Sequence, residues 1–99
     1  VLFIWNTYLK DVLMHNKIHQ DLKKLEHEIE KLDPSQAEEK ERLKNLVAKI
    51  KTELEKEVFE DNNDLTDLLQ NSISEFNVSH PRLTENLNNV LMTLSNLGI

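Results

Sequence analysis

His15 and His19 are four residues apart, a spacing that sets two imidazoles on one face of a helix, within reach of one metal ion. They are the candidate metal ligands, and a metal-binding sensor or regulator is the function they would serve. A specific site needs more ligands than two, and His27 lies two turns beyond His19. Solvated surface histidines are the plainer reading. Asp61-Asn62-Asn63-Asp64 has the look of a calcium loop. Counted from Asp61, however, the sixth position is Thr66 and the twelfth Ser72, where such a loop needs glycine and glutamate. His80 stands beside a turn, but the spacing supplies no serine or cysteine nucleophile with an orienting acid. The carboxylates of residues 26–60 alternate with lysines, the pattern of a solvated face. The one glycine, Gly98, leaves no phosphate-cradling loop. No catalytic residue and no cofactor are assigned, and the chain is not expected to be an enzyme.

Those residues sit in a chain of 99 residues, room for a single domain. Charged residues make up 30%, with one glycine and two prolines, a helical composition. The formal charge of −6, with only two arginines, argues against the clustered basic face of a nucleic-acid binder. With no cysteine there is no disulfide framework or thiolate site.

Ile18, Leu22, Leu25, Ile29 and Leu32 alternate four and three apart, the seam of a packed helix over about 17–32. A turn at Asp33-Pro34-Ser35 follows. Ser35 with Glu38 reads as a capping box, and Asp33 ahead of Pro34 is an alternative cap. The next helix, about 35–60, carries Leu43, Leu46, Val47, Ile50, Leu54 and Val58 and would be about 37 Å long. So short a connection predicts an antiparallel hairpin. Leu54, Val58, Leu65, Leu69, Ile73 and Phe76 share one helical stripe, which would suit a single very long helix. The polar run Asp61-Asn62-Asn63-Asp64 predicts a break instead, with a third helix over 64–77.

Before the first seam, Trp5, Tyr8, Leu9, Val12 and Leu13 have helical spacing but are out of phase with it. Residues 1–14 are therefore set apart from a helical domain at 15–99. They read as an extra packing helix, a membrane-surface foothold, or sequence ahead of a natural start at Met14. The segment is too short to span a bilayer.

The last helix, about 80–97, carries Leu83, Leu87, Val90, Leu91, Leu94 and Leu97. Gly98 suits a left-handed ending, with Ile99 folding back towards Leu94. Two caps compete. Pro81 as the first helical residue would make His80 a poor N-cap. Ser79, the expected one, caps better and allows a Val78–Leu83 staple but requires the pre-proline residue His80 to be helical. Phe76, Ser79-His80-Pro81-Arg82-Leu83 and Leu94-Ser95-Asn96-Leu97-Gly98-Ile99 together resemble a small family of bacterial proteins catalogued as domain of unknown function 4404. The resemblance extends more loosely back to about Lys17. It implies a short helical protein and carries no activity, cofactor or site residue.

The expected fold is all-α, an antiparallel helical hairpin plus two shorter helices in a bundle or coiled-coil-like arrangement. Helices three and four, about half the length of helix two, would leave part of its seam exposed, to be completed by dimerisation. The expected interface is Ile18, Leu22, Leu25, Ile29, Leu43, Val47, Ile50 and Leu54. The function that follows is a cytoplasmic, non-enzymatic interaction or scaffold module. Its expected partners are a second copy and another protein, not nucleic acid, and a membrane is not the expected partner.

Overall fold

The structure, a computed structural model, describes the backbone of residues 2–56 and 63–98, and the side chains of Leu13, 15–56 and 64–98. The described residues are all-helical and contain no strand. Four α-helices follow one another: α1 (Leu2–Glu30), α2 (Ala37–Leu54), α3 (Asn63–Phe76) and α4 (Pro81–Leu97). A single 3-10 turn at Pro34–Gln36 precedes α2.

The leucine and isoleucine rows meet in one core. Ile18, Leu22, Leu25 and Ile29 of α1 join Leu43, Leu46, Val47 and Ile50 of α2. From the other side come Leu65, Leu69 and Phe76 of α3 with Leu83, Leu87, Val90 and Leu94 of α4. Leu54, Leu68, Ile73, Leu91 and Leu97 pack partly buried around them. Rows at three- and four-residue spacing put one stripe per helix inward, and four such stripes close a bundle. Among the described residues, α1 and α3 both pack against α4, and both also contact α2. Asp21 and Lys24 of α1 meet Thr93 and Asn86 of α4, so the two run in opposite senses.

Several expectations change in the details. The first helix does not begin near residue 17 but runs unbroken from Leu2, crossing the boundary expected after Met14. No glycine or proline lies within it to stop the backbone ladder. It ends at Glu30 rather than Leu32, yet Leu32 is buried in the turn beyond.

The second helix stops at Leu54 rather than near residue 60. The amides of Glu55 and Lys56 bond the carbonyls three residues back, tightening the last turn. Val58 lies outside the described residues. At 18, 14 and 17 residues, α2, α3 and α4 are of similar length, so the expected mismatch with helix two is absent. The long element is α1, at 29 residues.

Caps explain the boundaries. The Ser35–Glu38 box does not form. Instead the Asp33 carboxylate accepts from the Ser35 amide at 2.9 Å, and Pro34 opens the 3-10 turn. That bond holds the Asp33 carboxyl below its ordinary range, because it favours the charged form. The folded chain therefore keeps Asp33 ionised to lower pH than the unfolded chain does. Its contribution is complete above the unfolded value and fades as the pH falls through the folded one. Asp33→Ala is expected to lower the thermal midpoint slightly at neutral pH and to leave it unchanged in strong acid, which a pH series of melts would check.

At the other turn the cap is His80, not Ser79, with Pro81 first in α4. The proline ring bars its predecessor from helical angles. His80 sits accordingly at φ −137° and ψ 76°, its carbonyl accepting from the Thr84 amide at 3.0 Å. At the end of α4, Gly98 takes φ +87° and its amide caps the carbonyls of Leu94 and Ser95, as expected. The Ile99 contact lies outside the described residues.

Candidate interaction surface

The eight residues expected at an interface are used inside the chain. Ile18, Leu22, Leu25, Ile29, Leu43, Val47 and Ile50 are buried in the core, and Leu54 packs half-buried at its edge. What the bundle leaves open lies beside α2, which stands less closely against α1 and α3 than α4 does.

Between α1 and α2 is a groove of about 470 Å³. Ile29, Val47 and Ala48 are its apolar lining. Lys23, Glu26, His27 and Glu30 form the α1 rim, and Lys44 and Lys51 the α2 rim. Lysines and glutamates face each other across it: Lys51 Nζ lies 2.6 Å from Glu26, and Lys44 and Lys40 lie 3.1 and 3.2 Å from Glu30. The Glu30 carboxyl is held below its ordinary range, first by the hydrogen bond from Lys44 and then by that from Lys40. These bridges are solvent-exposed and contribute little to stability. Their lysine stems can instead wall a bound apolar helix.

A second groove of about 420 Å³ lies between α2 and α3, with Ala48, Thr52, Leu65 and Leu68 among its lining. Nearer the other end of α3, Arg42 pairs with Glu75 across the same two helices.

His15, His19 and His27 all lie on α1. His15 is half-buried and His19 exposed, one turn apart on α1, and His27 stands on the groove rim. Among the described residues no group of three or more histidine, aspartate or glutamate side chains could hold a metal ion. His80 packs T-shaped with Phe76, with ring centroids 5.6 Å apart. Its Nδ1 lies 2.8 Å from the Ser79 hydroxyl. Asp61 and Asn62 of the calcium-like run lie outside the described residues, and Asn63 and Asp64 open α3.

The sequence reading missed one buried polar pair. Thr93, 1% exposed, donates its hydroxyl to Asp21 Oδ2 at 2.8 Å across the α1–α4 contact. Lys17 reaches the same oxygen at 3.5 Å from solvent. The available signal was position: Asp21 is three residues after Ile18 and four before Leu25, on the apolar stripe itself.

No helix among the described residues is long and apolar enough to cross a membrane. No match was found among the curated proteins, and none among the solved structures. A family model described as a domain of unknown function, DUF4404, matches residues 18–99, from Ile18 of α1 onward. With that match covering the whole four-helix core, the chain belongs to the DUF4404 family.

Proposed function

We propose that this chain is a non-enzymatic helical interaction module. In this reading, α1 and α2 form an antiparallel hairpin that α3 and α4 complete, and the protein works as a homodimer. The observation that carries it is the α1–α2 groove, open, apolar-lined and rimmed by lysine and glutamate. A cleft of that form suits a helix laid along it, its apolar face down and its polar face in water. Sedimentation velocity of the full chain at micromolar concentration tests the proposal. A species of twice the chain mass is expected, and a strict monomer would remove the homodimer.

A further inference from the structure

The four helices are not held equally. Among the described residues, α1 and α3 stand on one diagonal of the bundle, α2 and α4 on the other. Helix α4 packs closely on both α1 and α3, whereas α2 stands off from the same two helices. Grooves reach in on either side of it. The one against α1 is about 470 Å³, and against α3 two hollows of about 420 and 330 Å³ share Lys49 and Leu68. The walls of such a groove lack the dispersion contacts that a filled interface would give them.

The polar ties differ in kind as well. Between α1 and α4, the Thr93 hydroxyl bonds Asp21 in the interior. Among the described residues, the side-chain ties from α2 to α1 and α3 run from lysine or arginine to glutamate at the surface. Lys40 and Lys44 reach Glu30, Lys51 reaches Glu26, and Arg42 reaches Glu75. Solvent screens pairs of this sort. What seats α2 is its apolar stripe, Leu43, Leu46, Val47 and Ile50.

Topology adds to the difference. Release of α2 leaves α1, α4 and α3 joined through the two closest interfaces of the bundle. Release of any other helix breaks at least one of those. A cooperative unit with fewer close contacts opens at lower cost than the whole domain.

We infer that α2 is a lid on a three-helix frame, opening as a unit while α1, α3 and α4 stay packed. Opening uncovers Ile29 of α1 and Leu65 of α3, both buried where they border α2 in the closed chain. The surface ion pairs are its latch: they set how often the lid opens and do not hold the frame together. This follows from the fold alone, whatever the oligomeric state. An isolated helix of 18 residues is marginal in water, so the open lid loosens its own hydrogen bonds and its amides exchange.

Amide hydrogen exchange of the full chain, followed by NMR through a series of low urea concentrations, tests the lid. Val47 and Ile50 report on α2, Leu22 and Leu25 on α1, and Leu87 and Val90 on α4, all of them buried. The α2 amides should be at least about tenfold less protected than the others. Their urea slope should be above zero but smaller than that of global unfolding. Lys51→Glu, which sets two carboxylates against each other at Glu26, should lower α2 protection about threefold further and leave α4 unchanged. Adding Glu26→Lys should restore it. Equal protection and slope in every helix overturns the lid, because the bundle then opens only as one. Low α2 protection without urea dependence overturns it too, since that is fraying and not release of a unit. A Lys51→Glu effect that is absent, equal in all helices, or not reversed by Glu26→Lys overturns the latch.

Discussion

Replacing Phe76 by alanine is expected to lower the unfolding free energy by about 3–5 kcal/mol, the largest effect of any single truncation proposed here. Phe76 closes α3 and is 2% exposed, inside the core that joins all four helices. Its ring stands T-shaped to that of His80, and its carbonyl accepts the His80 amide at 2.9 Å. The ring thus braces both the core and the turn that reverses the chain into α4. Removing it leaves a void that rigid neighbouring helices close only in part, so the cavity adds to the lost transfer energy. Against a total of about 5–15 kcal/mol for a small domain, that is a large share. Urea denaturation would show it as a lower midpoint at unchanged slope. Phe76→Leu, which refills most of the volume, should recover more than half of the loss. A loss below about 1 kcal/mol would show that the ring is not packed as described.

The second expected result concerns the Asp21–Thr93 pair. Thr93→Val keeps the shape and removes the donor, leaving the buried carboxylate with only the longer contact to Lys17. The expected cost is about 1.5–3 kcal/mol, because a hydrogen bond to a charged group is lost without replacement by water. Asp21→Leu strands the Thr93 hydroxyl instead, at about 1–3 kcal/mol. The double substitution should cost clearly less than the sum, since an apolar pair of similar shape leaves no polar group unsatisfied. A double-mutant cycle by chemical denaturation measures that difference. Additive effects would mean the two groups do not interact. Lys17→Met should matter far less, because the lysine is 55% exposed and its pairing is screened by solvent.

Both results bear on how much of this fold could be read from the chain. The core could be, almost residue for residue. Ile18, Leu22, Leu25 and Ile29 were expected on a seam at an interface with a second copy, and Leu83, Leu87, Val90 and Leu94 on the inward stripe of the last helix; all eight are buried within the chain. Spacing suffices there because a helix has one period and water penalises any other facing. Gly98 was equally plain, since only glycine takes a positive φ without strain.

Harder were the features in which two local rules compete. Ser79 is the better capping side chain, but Pro81 excludes helical angles at His80, and the backbone restriction prevailed. The out-of-phase stripe of residues 5–13 suggested a separate element. The backbone instead continues through it, because a change of apolar phase does not interrupt a hydrogen-bond ladder. The groove lining of Ile29, Val47 and Ala48 mixes two core positions with one exposed alanine, a combination that periodicity alone does not pick out.

The sequence by itself determined the helical class, the inward stripes, the turn at Pro34 and the stop at Gly98, all set by neighbours within a turn or two. The tertiary structure decided that Asp21 meets Thr93, 72 positions away, and that α4, not α2, lies closest to α1. It also decided that a groove stays open beside α2. Such choices depend on which stripes fit together once the chain has closed, a property of shapes in space that no local spacing encodes.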